Sequence, residues 1–149
     1  MKSQAILNIF TVACRFQELL FDSYMEAKQM QYMLLMYLDE NSLSEAQRTK
    51  CYADSAGYAR QLHASGKYVA AAPLQPTLTA TSVRYREGKT VVTDGPFAET
   101  REQLGGFFII NAANLDEAIE IAGQIPAGRW GTVEIRPLLE ITGLPEQAA

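Results

Sequence analysis

Histidine and cysteine are nearly missing from this chain: one His and two Cys among 149 residues. His63 alone leaves little material for a histidine-rich metal site. Cys14 and Cys51 lie far apart and match neither a zinc nor a Cys-x-x-Cys spacing. They read as reduced thiols of a cytosolic protein. No metal and no cofactor is expected. Positive charge is also short. Lys and Arg number 13 against 17 Asp and Glu, a net charge of −4. Nothing resembles a basic stripe, so nucleic acid is not an expected partner, and neither is a membrane. No G-x-G-x-x-G or G-x-x-x-x-G-K spacing exists, so there is no phosphate loop. What the chain does have is apolar content. At 48% hydrophobic residues it can build one domain with a real core.

Residues 1–29 differ from the rest. Lys2, Arg15 and Lys28 balance Glu18, Asp22 and Glu26, so all of the net charge belongs to residues 30–149. Ile6, Phe10, Ala13, Leu20 and Tyr24 recur at spacings compatible with an amphipathic helix. Three readings compete: an export signal, an accessory helix, or an over-extended gene start with translation beginning at Met25 or Met30. The export reading suffers from a short apolar run interrupted by Asn8. The gene-start reading is preferred, because a well-formed domain begins at Met30. On that reading residues 1–29 are dispensable for folding.

Met30 to Leu38 is an almost unbroken apolar run and predicts a strand buried on both faces. Ser44 and Gln47 form a capping box for a helix over 45–64, which Gly66 is placed to stop. Tyr52, Ala56, Ala59 and His63 fall on one stripe of that helix, flanked by Cys51 and Leu62. Tyr68 to Ala72 is a second strand, halted by Pro73. The stretch 79–86 alternates as a half-exposed strand and turns at Glu87-Gly88 into a hairpin partner. Gly106 to Asn111 is again apolar on both faces. Asn114 and Glu117 start a second helix whose inner face is expected to be Leu115, Ala118, Ile119 and Ala122. Thr132 to Leu138 is the last strand, and residues 139–149 are a tail. The order is β-α-β-(β-hairpin)-β-α-β, a ferredoxin-like α+β sandwich with an inserted hairpin. Two helices cover one face of the sheet only. The doubly apolar strands therefore need other cover, and a second copy of the same sheet is the simplest candidate.

The densest local chemistry lies between the hairpin and the next strand, in Asp94-Gly95-Pro96-Phe97-Ala98-Glu99-Thr100. Asp-Gly is strong turn chemistry, and Pro96 restricts both itself and Gly95. Phe97 is thereby aimed, with an apolar gap as its expected seat. The bland reading of Asp94 is a cap on the turn's backbone N–H groups, worth about 1 kcal/mol. The functional reading is a carboxylate at a pocket rim.

With these residues in view, the chain resembles the YCII-related proteins, in the branch with an Asp-Gly-Pro-Phe motif. The matching residues are Tyr32-Met33-Leu34-Leu35 with Asp39-Glu40, Pro73-Leu74-Gln75-Pro76, Val92 to Thr100, Glu102 to Phe107, and Val133-Glu134-Ile135-Arg136-Pro137. They span a domain over 30–138. The resemblance implies a dimeric α/β barrel in which two sheets pack face to face. It implies a cytoplasmic bacterial protein, often encoded beside extracytoplasmic-function sigma factors. It implies no agreed reaction. More distant relatives carry a histidine near the start of the first helix, suspected to pair with an aspartate. This chain has none there, and His63 sits at the helix end, so that dyad does not transfer.

Three functions stay open. An enzyme would use Asp94 and Glu99 as carboxylates at the barrel cavity, one of them a general base. Arg136 or Arg84 would hold an anionic substrate, and Tyr32 or Tyr37 would line the pocket. The plain alternative for the arginines is a solvated sheet face or a salt bridge across the dimer. A second function is a small-molecule sensor or accessory protein without turnover, linked to a sigma-factor pathway. A third is a barrel filled by its own side chains. Under all three the expected assembly is a homodimer.

Overall fold

The computed structural model describes residues 29–141 and 143. The expectations for residues 1–28, and for the tail beyond 143, lie outside the described residues. In chain order the elements are β1 (Met30–Leu38), α1 (Glu45–Ala64), β2 (Tyr68–Pro73), a 3-10 turn (Thr77–Thr79), β3 (Thr81–Arg86), β4 (Lys89–Asp94), β5 (Gln103–Ala112), α2 (Leu115–Gly123), a second 3-10 turn (Pro126–Arg129) and β6 (Gly131–Pro137). Four strands form one antiparallel sheet in the order β2-β5-β1-β6. β3 and β4 pair only with each other. This is an α+β fold of ferredoxin-like order with a hairpin between its halves.

Local chemistry sets the boundaries. The Gln47 N–H donates to Ser44 Oγ, and the Ser44 N–H donates to Gln47 Oε1 at 2.9 Å, so the capping box is formed both ways. At the other end Gly66 takes φ +71°, and the Lys67 N–H donates back to the Leu62 carbonyl. A side chain at Gly66 would be strained in that conformation. Asn114 caps α2 by accepting from the Glu117 N–H at 3.0 Å. The Glu117 carboxylate accepts from the Ala113 N–H and pairs with Lys67. The Lys67 contact, then the Ala113 N–H, hold its carboxyl below the usual range.

The core lies between the sheet and the two helices. Tyr32, Leu34 and Met36 of β1 and Phe108, Ile110 and Ala112 of β5 all turn to this side. They meet Cys51, Tyr58 and Leu62 of α1 and Ala118, Ile121 and Ala122 of α2. Leu34 and Ile110 are fully enclosed, each worth about 1.5–3 kcal/mol against exposure. Tyr58 donates its hydroxyl to the Ile121 carbonyl at 2.9 Å, tying α1 to α2.

Both helices bury a different stripe from the one expected. On α1 the stripe is Cys51, Tyr58 and Leu62, while Tyr52, Ala56 and His63 are exposed. Polar side chains surround this helix, so spacing alone could not choose between two neighbouring stripes. On α2 Leu115 and Ile119 are each 51% exposed, and Ile121 is buried in their place. Positions 115, 118, 119 and 122 and positions 118, 121, 122 and 125 make the same pattern three residues apart. The turn after α2 decides between them, because Ile125 and Ala127 are drawn into the core.

The other face of the sheet carries Met33, Leu35 and Tyr37 of β1 beside Phe107 and Ile109 of β5, with Glu134 and Arg136 of β6 at its margin. Both helices pack on the opposite face, against the core. The hairpin stands apart. Its one face holds Val83, Tyr85, Val92 and Asp94, since directly paired residues share a face. The three apolar members are all exposed. Phe97 is 81% exposed, so it fills no gap within its own chain.

Candidate functional site

A cleft of about 380 Å³ opens on the helix side of the sheet, between α1 and β2. Its origin lies in side-chain size. Ala56 and Ala59 of α1 face Ala71 of β2, and three methyl groups leave the space that larger residues would fill. Met36, Leu43 and Phe108 make the floor from the core side. Pro73, Leu74 and Pro76 form one wall, a stiff connector that two prolines keep from collapsing inward. Tyr52 and Leu74, the exposed large apolar residues of the lining, mark the mouth.

Polar groups gather where β1 runs out into α1. Glu40 lies just beyond β1 and reaches across to the connector. Its Oε1 accepts the Thr77 N–H at 2.8 Å, and its Oε2 accepts the Thr77 hydroxyl at 2.9 Å. The Glu40 N–H donates to Gln103 Oε1 at 3.2 Å. Glu40 thus latches the connector over the cleft. Arg48, in the first turns of α1, donates from Nη2 to the Glu40 backbone carbonyl at 2.8 Å. Cys51 is buried, and burial pushes its thiol up, with Asp54 nearby adding to the rise and a Ser55 hydrogen bond opposing it. A thiol held protonated is a poor nucleophile. The latch gives a stability prediction. Glu40→Ala should cost about 1–2 kcal/mol, the worth of two hydrogen bonds to a charged acceptor. Urea melts should show much less additional loss when Thr77→Ala is added, because the two residues share one interaction.

The sequence-derived site residues lie elsewhere. Asp94 ends β4 as expected, but its carboxylate accepts no hydrogen bond among the described residues. The turn is held instead by the Gly95 N–H donating to the Ala80 carbonyl at 2.7 Å and by Ser82 Oγ donating to the Gly95 carbonyl. The expected capping role of Asp94 is therefore corrected. Glu99 is exposed in the loop between β4 and β5. Arg84 sits on the opposite hairpin face from Asp94 and donates to the Phe97 carbonyl at 3.3 Å. Tyr37 and Arg136 share the open face of the sheet, with Arg136 3.8 Å from Glu134. Tyr32 faces the core. His63 is exposed at the end of α1, its ring 6.2 Å from that of Tyr68. Within one chain none of these residues converge. Spacing does not single out Arg48, Tyr52 or the alanines of the cleft as ligand groups. It assigns Tyr52, Ala56 and Ala59 to the core, and the only signal in the sequence is a helix stripe too small to fill one.

Among the described residues no group of three or more His, Cys, Asp or Glu side chains is placed to hold a metal ion. No described helix is long and apolar enough to cross a membrane.

This fold, with its match over 30–142 to the YCII-related domain model, defines the class: the chain belongs to the YCII-related domain family. It is also 39% identical over 114 residues to an uncharacterized protein of Rhizobium meliloti (strain 1021), covering 73% of this chain and 92% of that relative. Both strands of the open face, the hairpin and the whole cleft fall inside the family match.

Proposed function

We propose that this protein is a homodimer that binds a small molecule in the α1–β2 cleft. The cleft carries the reading. Its volume falls in the range of ligand sites, about 300–1,000 Å³, and its walls are apolar with a few polar groups at one end. The dimer is supported by the open apolar sheet face, which two copies would cover for each other. The helix-side cleft would stay open in that arrangement. The cleft's one carboxylate is already engaged by Thr77, and its thiol is held protonated. This favours binding without turnover there, as in a sensor or accessory protein. The Asp-Gly-Pro-Phe residues 94–97 support placement in the branch of that motif, and with it a cytoplasmic sigma-factor pathway as the setting.

A second reading has its own support. Asp94 shares the apolar hairpin face, and Tyr37 and Arg136 share the open sheet face. A second copy closing over both surfaces would enclose them together, with Glu99 and Arg84 at the margin. That enclosed space would be the place for carboxylate catalysis on an anionic substrate.

A thermal-shift screen of small acids, amides and alcohols on the full chain tests the cleft. Ligands are expected whose effect disappears in Ala59→Leu, where the added side chain occupies the space. If no class of ligand shifts the wild-type melt, the cleft reading fails.

A further inference from the structure

We infer that the cleft takes an apolar monocarboxylate, its carboxylate on Arg48 and its apolar body along α1 toward Ala59 and Ala71. The inference rests on the cleft-binding reading and adds the ligand's chemistry.

The carrying observation is the state of Arg48. Arg48 is half-buried in the lining of the cleft. One of its five N–H groups meets the Glu40 backbone carbonyl. The carboxylate of Glu40, the residue whose carbonyl Arg48 meets, is turned to Thr77 and takes both of its hydrogen bonds there. The ion pairs among the described residues are Lys50–Asp54, Lys67–Glu117 and Arg136–Glu134, and Arg48 is in none of them. A half-buried cation with a neutral partner and spare donors, beside an apolar cleft, is a site for an anion. The Tyr52 hydroxyl, which makes no hydrogen bond among the described residues, lies one helical turn on and supplies a second donor at the mouth.

The remaining lining fixes the rest of the ligand. Beyond Arg48 the stripe runs through Ser55, Ala56 and Ala59 and across to Ala71 and Phe108. Ser55 lies beside the Cys51 thiol. That end offers no cation, so a second charge on the ligand would be stranded there. A single guanidinium also argues against a phosphate monoester. A dianion would keep one charge unmatched, with the Glu40 carboxylate nearby and a chain that is itself negative. A planar carboxylate matches the two-pronged fork of a guanidinium.

Octanoate, 1-octanol and octyl phosphate separate the alternatives. Each is titrated into the full chain by calorimetry, at concentrations where it is monomeric. Octanoate is expected to bind at least tenfold tighter than octanol or octyl phosphate. Arg48→Gln should abolish that advantage and leave octanol unchanged. Arg48→Lys, which keeps the charge without the fork, should retain part of it. Ala59→Leu should weaken all three. Circular dichroism melts confirm that each variant is folded. If octanol binds as well as octanoate, or Arg48→Gln leaves octanoate unchanged while Ala59→Leu blocks it, the cleft is a ligand site and the carboxylate assignment is wrong. Tightest binding of octyl phosphate also overturns it. If none of the three binds, the cleft reading falls together with it.

Discussion

Gly131→Ala is expected to lower stability by about 3 kcal/mol or more, the largest effect of any single methyl group added to this domain. Gly131 opens β6 and pairs with Leu38 of β1. A Cβ built there would lie 1.9 Å from the Tyr37 carbonyl oxygen and 3.0 Å from the Leu38 Cα. Both are backbone atoms of the neighbouring strand. A flexible side chain could swing away, but a paired strand cannot without giving up its ladder. Gly106→Ala should cost less, because the Ala72 carbonyl stands 2.8 Å off and part of the crowding comes from the tip of Met36. Gly123→Ala meets nothing within 4 Å. It should be neutral or stabilising by about 0.5 kcal/mol, since Ala loses less backbone entropy in a helix. Urea melts at one protein concentration should rank the three in this order. A loss below about 1 kcal/mol for Gly131→Ala would mean that β6 can detach at its start without cost to the sheet, contrary to its place beside the central strand.

Strand order and helix limits were legible because their signals are local. Ser44 with Gln47, Asn114, Gly66 and the turn at Glu87-Gly88 each act within a few residues, and each acts in the fold as the sequence suggests. Which stripe of a helix turns inward is not local. On α2 two sets of residues carry the same spacing, and the choice comes from Ile125 and Ala127, which lie past the helix end. On α1 the choice comes from Tyr58, whose hydroxyl reaches the Ile121 carbonyl 63 residues away in sequence. Spacing has no access to such a partner.

The same limit hid the cleft. A space is made by what is small on both sides of it, and Ala56 and Ala59 meet Ala71 only once α1 has crossed the sheet. Glu40 was visible as part of the family resemblance but not as a latch, because Thr77 lies 37 residues on. The Asp-Gly-Pro-Phe stretch draws the eye instead, because its turn chemistry is dense. That stretch sits on an arm that touches little of its own chain. An exposed Phe97 and an unengaged Asp94 are hard to account for as parts of a monomer, since large apolar side chains grouped on one surface mark a contact site.

Leu35→Asp should therefore separate the two copies of the proposed homodimer. Leu35 lies in the middle of the open sheet face, between Phe107 of β5 and Glu134 of β6. Leu35 is half-buried there and both described helices pack on the opposite face, so in a single chain the carboxylate would cost little. Between two packed sheets it would be an unpaired buried charge, which costs far more than the lost leucine contacts. Light scattering on the wild type should give twice the chain mass of 16.5 kDa at micromolar concentration. An interface of roughly 2,000 Å² in total, of the obligate kind, would hold at that concentration. Leu35→Asp should give the single-chain mass with its circular dichroism spectrum kept, and Leu35→Met should remain a dimer. A wild type that is monomeric would remove the homodimer outright. Val83→Asp then asks whether the hairpin takes part. If it too gives monomers, the hairpin face packs on the second copy and Asp94 is carried into the interface with it. If it stays dimeric, the sheets alone form the contact. Asp94 then remains in solvent, and the case for catalysis by Asp94 and Glu99 loses the enclosure it depends on.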